Sequence, residues 1–179
     1  MNASVWIFGY GSLVWRPDFP HVEAVPAWIS GYERRFWQAS TDHRGTPARP
    51  GRVATLVEAP GLRCRGIAYR ITPGSAADVL AYLDHREKNG YLSRRLSLEL
   101  DDGRRIGAVT YIADPRGIHF AGPAPLEEIA RQIRQASGPS GANVEYVVRL
   151  ADALRHLGVA EDETLELDAM LRGGAQSGA

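Results

Sequence analysis

Residues 5–15 read VWIFGYGSLVW: an apolar run, then glycine, tyrosine, glycine and serine, then the apolar run again. The first part is dense in β-formers, and residues 4–8 are predicted to form a strand. Pro17 and Pro20 in RPDFP forbid a long helix after it. A dinucleotide-binding turn is thereby excluded, because Gly9-x-Gly11 has no third glycine and no helix follows. A P-loop is excluded as well, because no Gly-Lys-Ser/Thr occurs. Taken alone, the stretch leaves two readings open. It is either a plain turn between two strands or a nest whose successive N–H groups converge on a small anion. In the second reading glycine supplies the dihedrals and lets a ligand approach the backbone. Ser12 adds a hydroxyl, and Tyr10 adds a wall or a phenolic hydrogen bond.

The surrounding pattern sets the fold class. Residues 27–40, AWISGYERRFWQAS, read as a long bent strand with Gly31 as a bulge candidate. Trp28, Tyr32, Phe36 and Trp37 lie close to a helical spacing but are taken as strand core. Residues 41–52, TDHRGTPARPGR, form a polar loop, and loops of this length are often functional. Asp42, His43 and Arg44 within it either face a pocket or anchor the loop. Residues 53–58 and 64–71 are predicted as two strands joined around Pro60-Gly61. Residues 75–89, SAADVLAYLDHREKN, are predicted as a helix with Ser75 as N-cap, Asp78 in the first turn and Gly90 as the stop. Residues 92–100 and 104–113 make a hairpin around Asp101-Asp102-Gly103. Helices follow over 126–137, 142–158 and 162–172. Strands first and helices last argue for an α+β protein rather than a doubly wound sheet. Residues 1–172 are read as a single domain and 173–179, GGAQSGA, as a disordered tail.

Composition narrows the function. The chain has 179 residues, 44% apolar and 23% charged, with zero net charge. That is long enough for a real core and gives no global field toward nucleic acid or an anionic membrane. The one cysteine, Cys64, permits neither a disulfide framework nor a cysteine-based zinc site. It lies between Arg63 and Arg65, which favours a thiolate, but a packed strand cysteine is the preferred reading. His21, His43, His85, His119 and His156 have no metal-ligand spacing, so no metal site is expected. Arg131 and Arg134 share a helix with Glu127 and Glu128 and read as surface pairs. The N-terminus has no basic leader, and no apolar run reaches membrane-spanning length. A soluble cytoplasmic protein acting on a small molecule is expected, its oligomeric state open.

The second informative stretch is YLDHREKNGY, residues 82–91. On a helix, Ala76, Leu80 and Leu83 form an apolar stripe that Glu87 continues, with Asp84 on its margin and Arg86 and Lys88 pointing elsewhere. Three readings fit a glutamate there: a solvated last-turn residue, a structural ion pair with a nearby arginine, or a general base. Burial and the negative end of a helix both raise a carboxyl pKa, which suits a group that takes and returns a proton near neutrality.

GYGSL and YLDHREKNGY, with GYERRFWQASTDHRGTPARPGR and the later AGPAPLEEIARQI and SGPSGANVEYVVRLADALRHLG, resemble the ChaC-like γ-glutamylcyclotransferases. The resemblance runs from about residue 6 to about residue 167, with the motifs in the family's order. It implies a mixed β-barrel with peripheral helices. The reaction it implies converts glutathione to 5-oxoproline and cysteinylglycine without metal or cofactor. The family's glycine loop falls on Tyr10, Gly11, Ser12 and Leu13, approached by Ile7, Phe8 and Gly9, and would bind the γ-glutamyl end. Its catalytic glutamate falls on Glu87. Tyr91 and Tyr146 are implied as pocket residues. Arg34, Arg35, Arg44 and Arg52 are candidates for meeting the glycine carboxylate of glutathione, or else surface charges. A cyclotransferase for another γ-glutamyl amine or amino acid, and a non-catalytic γ-glutamyl-binding protein linked to ion transport regulation, are the competing readings.

Overall fold

The structure is a computed structural model that describes residues 4–173; the expected disordered tail falls almost wholly outside them. The chain divides into two units. The first holds the residues up to Glu33 and Leu56–Asp114, the second Arg34–Thr55 and the residues from Pro115 onward.

The first unit is built on β1 (Val5–Gly9), β2 (Glu23–Ser40), β3 (Gly51–Ile71), α1 (Pro73–Arg86), β4 (Tyr91–Leu100) and β5 (Arg105–Ala113). The ends of β2 and β3 nearest the 41–50 loop belong to the second unit. The strands close into a barrel in the order β1-β3-β2-β4-β5. β1 lies antiparallel to β3, with Ile7 opposite Tyr69 and Gly9 opposite Ile67. It also runs parallel to β5 through Ile7 and Val109, which closes the ring. β4 and β5 form the expected hairpin, Tyr91 opposite Ala113, and Gly103 turns the chain at φ +85°. β1 is therefore paired on both sides, by β3 and by β5.

Two expectations are corrected. Residues 53–58 and 64–71 are not separate strands; they belong to the single β3. Gly61 sits within that strand at φ +86°, a conformation glycine adopts without strain, so Pro60-Gly61 does not end it. The helix begins earlier than Ser75. Thr72 is its N-cap in an extended conformation and Pro73 occupies the first turn, where a missing N–H costs nothing. The helix also ends earlier, at Arg86, so Glu87 is the C-cap residue and not part of the last turn. The apolar stripe is confirmed. Val79 and Leu83 are buried with Ile7, Leu13, Phe19, Tyr69, Ile71, Val109 and Tyr111, and Ala76, Leu80 and Tyr91 pack against them.

The second unit adds α2 (Leu126–Gln135), the short pair β6 (Ser137–Gly138) and β7 (Gly141–Ala142), α3 (Asn143–His156) and α4 (Glu163–Gly173). Ile129, Ile133, Val147, Leu150, Leu154 and Leu167 are all fully buried and form its helical core. Polar clamps hold the strand ends to these helices. Asn143 accepts from the Arg52 N–H at 2.7 Å and donates to the Arg52 carbonyl at 2.9 Å. Glu163 accepts from the Phe36 N–H at 2.8 Å and from Arg35 at 2.7 Å, and Arg34 pairs with Asp162.

One buried hydrogen bond fixes the segment after β1. The Tyr69 phenol donates to the Leu13 carbonyl at 2.6 Å, and burial pushes its pKa from 10.0 up to about 12. The folded state therefore keeps a proton that the unfolded chain loses between those values. The resulting stability is complete below pH 10 and is lost as pH rises through about 12, at ~1.4 kcal/mol for each pH unit crossed. Tyr69→Phe is expected to lose about 1 kcal/mol near neutral pH, because Leu13 loses its donor. Urea unfolding of the variant should also show a shallower decline than the parent across this alkaline window.

Candidate active site

The first unit brings the two singled-out stretches together. β1 delivers Gly9 and Tyr10 to the top of the barrel, and the chain then makes one 3₁₀ turn over Ser12–Val14. Val14 N–H bonds the Gly11 carbonyl at 3.0 Å, and Arg16 N–H bonds the Ser12 carbonyl at 2.8 Å. As at any helix start, the first N–H groups have no partner within the turn. The interruption in the apolar run is thus a tight reversal on a buried strand end: Phe8, Gly9 and Tyr10 are buried, while Gly11 and Ser12 are partly open.

Tyr10 is committed to the framework. Its phenol donates to the Tyr111 carbonyl at 2.5 Å, and its ring lies 6.4 Å from that of Phe8. Ile7 and Leu13 face the core cluster around Leu83. Phe8 faces the other way, against Gly66. A Cβ at Gly66 would stand 2.3 Å from the Gly9 carbonyl oxygen and 2.7 Å from the Phe8 ring, so glycine there is what lets the strand end and its turn seat on β3.

Glu87 stands where α1 gives out. Its N–H still bonds the Leu83 carbonyl at 2.8 Å, and its own carbonyl accepts from Tyr91 N–H at 3.3 Å. Its side chain is 20% exposed and its Oε1 is 3.6 Å from the Nε of Arg86. The same guanidinium donates from Nη2 to the Ser12 hydroxyl at 2.8 Å. Arg86 therefore joins the turn after β1 to the glutamate at the end of α1. Nearby, the Tyr111 hydroxyl donates to Asp84 at 2.7 Å. Burial raises the Tyr111 pKa, and the negative charges of Asp84 and then Glu87 raise it further, so this phenol remains a donor. Tyr91 borders the same apolar cluster, directly after the Gly90 reversal at φ +100°.

Arg86 is the residue that helical periodicity missed. The pattern pointed it away from Glu87, but the helix ends at Arg86, and beyond that point the 100° progression no longer orders side chains. The structure places the remaining candidates as follows. Tyr146 lies in the second unit, where its hydroxyl accepts from Ala54 N–H at 3.2 Å and its ring meets Phe36 edge-on at 6.0 Å. Arg34, Arg44 and Arg52 are buried in that unit rather than surface charges, and all four arginines are engaged there. Arg44 pairs with Glu145 at 3.4 Å, and Arg52 donates to Gln132 and the Gly122 carbonyl at 2.9 Å. His43 meets Ser140 at 3.1 Å, which anchors the 41–50 loop to the β6–β7 turn. Cys64 is buried, its sulfur 3.7 Å from the Arg65 carbonyl. Among the described residues no group of three or more His, Cys, Asp and Glu side chains could hold a metal ion, and no helix is long and apolar enough to cross a membrane.

A closed mixed barrel carries the glycine turn, and Arg86 ties that turn to the carboxylate at the end of α1. The sequence model described as "ChaC-like protein" matches residues 5–172, and the chain belongs to that family. It is 42% identical to gamma-glutamylcyclotransferase 2-3 of Arabidopsis thaliana over 94% of this chain and 89% of the relative. It is also 42% identical to human glutathione-specific gamma-glutamylcyclotransferase 1, over 90% and 75%. The crystal structure of a yeast γ-glutamyl cyclotransferase specific to glutathione superposes with a TM-score of 0.89 at 32% identity, covering 96% of this chain and 97% of that one.

Gly66→Ala tests the seating of the turn. Its Cβ meets backbone and ring atoms that have nowhere to move, so a loss of about 1–3 kcal/mol is expected. Hydrogen exchange should show faster exchange over residues 9–14 in the variant than in the parent, and unchanged protection there would contradict the packing described.

Proposed function

We propose that the protein is a glutathione-specific γ-glutamylcyclotransferase that releases 5-oxoproline and cysteinylglycine. The observation that carries the reading is the Glu87 carboxylate set 3.6 Å from a guanidinium that also binds Ser12 of the glycine turn. The names of the relatives and of the yeast structure support the same substrate.

In this reading the turn from Tyr10 to Leu13 holds the γ-glutamyl end, and Ile7, Phe8 and Gly9 form its base. Tyr91 borders the site. The substrate is bent so that its α-amine lies against its own γ-carbonyl, an effect of orientation. The amine nitrogen bonds to the carbonyl carbon and loses a proton to Glu87. The bond from that carbon to the cysteine nitrogen then breaks, and Glu87 returns the proton to the departing nitrogen. N–H groups of the turn are suited to stabilising the tetrahedral oxyanion. The reaction is redox-neutral and Glu87 handles both proton movements, so the reading requires neither metal nor cofactor.

The match ending at Arg172 supports reading residues 1–172 as one catalytic domain. Zero net charge supports a small molecule rather than nucleic acid as the partner. A lone buried cysteine supports a reducing, cytoplasmic setting.

Incubation with glutathione should yield 5-oxoproline. Glu87→Gln, which keeps size and removes the proton acceptor, should lower kcat by about 100- to 10,000-fold. Undiminished turnover by this variant would refute the role of Glu87. Turnover of γ-glutamyl-alanine in place of glutathione would move the assignment to another γ-glutamyl substrate.

A further inference from the structure

The geometry points to Arg86 as the cationic anchor that receives the α-carboxylate of the γ-glutamyl substrate. The inference rests on the proposed activity and assigns a residue to its binding step.

The three nitrogens of the guanidinium have different surroundings. Nη2 donates to Ser12 Oγ at 2.8 Å. Nε lies 3.6 Å from Glu87 Oε1. Nη1 is buried and has no hydrogen-bond partner. The side chain as a whole is only 17% exposed. A buried, charged donor without an acceptor is costly, and folded proteins leave few of them. Asp18 does not fill the role: its Oδ2 is 3.9 Å from Nη1 and is held by Arg16 Nε at 2.7 Å. Asp18 is thus an ion-pair neighbour of Nη1 and not its hydrogen-bond acceptor.

Ser12 completes the arrangement. Because its oxygen accepts from Arg86, its own O–H stays available to donate. Nη1 and Ser12 O–H are two donors on neighbouring groups, and a carboxylate, with two acceptor oxygens, fits such a pair better than a neutral amide. The substrate chemistry agrees with this placement. The α-carboxylate and α-amine of a γ-glutamyl group sit on the same carbon. A carboxylate held at Nη1 therefore brings the amine next to Glu87, which borders the same guanidinium. The carboxylate survives in 5-oxoproline, so the contact persists to product.

The test uses two substrates that differ only at this group: glutathione, and its analogue with the glutamyl α-carboxylate converted to the carboxamide. Wild-type protein should prefer glutathione in kcat/KM by about 10- to 100-fold, the range for a charge-assisted hydrogen bond. Arg86→Ala should bring that preference close to one. Arg86→Lys, which keeps the charge and is the less disruptive change, should fall between them. A variant that folds and loses activity equally on both substrates would overturn the inference and leave Arg86 as a group that only positions Glu87 or the turn. Equal wild-type efficiency on the two substrates would overturn it as well. Absence of 5-oxoproline from glutathione with wild-type protein would instead refute the proposed activity itself.

Discussion

The hydrogen bond from Arg86 to Ser12 is the contact on which the site depends. It ties the last residue of α1 to the reversal after β1, two places 74 residues apart in sequence. Each end is fixed independently. The turn is held from below by the Tyr69 phenol on the Leu13 carbonyl and from behind by the close approach of Gly66. The end of α1 is held by Leu83 in the core and by the Tyr111 hydroxyl on Asp84. The guanidinium therefore spans two supports, each held by its own contacts. Glu87 follows from the same arrangement. As the C-cap residue it keeps its last helical N–H bond yet leaves the helical path, and its carboxylate turns to the guanidinium.

Much of this was legible in the sequence. The α+β class, the β4–β5 hairpin, the three late helices and the stripe of Ala76, Leu80 and Leu83 all came from periodicity and turn residues. Those signals are local, and tertiary packing did not override them. The misplaced strand break and the misplaced helix start share one physical origin. Pro60-Gly61 and Ser75 are punctuation residues whose meaning depends on what the flanking chain pairs with. In β3 the flanks stay within one strand, so the glycine is accommodated rather than ending it. At α1, Thr72-Pro73 starts the helix before Ser75 has any role as a cap.

The arginines show the limit of residue-type reasoning more sharply. Arg34, Arg35, Arg44 and Arg52 looked like equal candidates for a substrate carboxylate, yet each is engaged by acids or carbonyls within the second unit. Helical periodicity points Arg86 away from Glu87, yet it is the one of the five that meets both Ser12 and Glu87. No single-residue property separates these cases. What differs is which carbonyls and carboxylates long-range folding leaves beside each guanidinium: acids and carbonyls of the second unit for the four, Ser12 and Glu87 for Arg86.

In the proposed reaction one end of the site holds a carboxylate while the other carries a proton, with Arg86 between them. A crystal structure with 5-oxoproline bound examines both ends at once. The ligand carboxylate is expected within about 3.2 Å of Arg86 Nη1 and Ser12 Oγ, with the lactam N–H turned toward Glu87. A ligand seated with its lactam at Arg86 and its carboxylate away from Ser12, or bound clear of both residues, would contradict it.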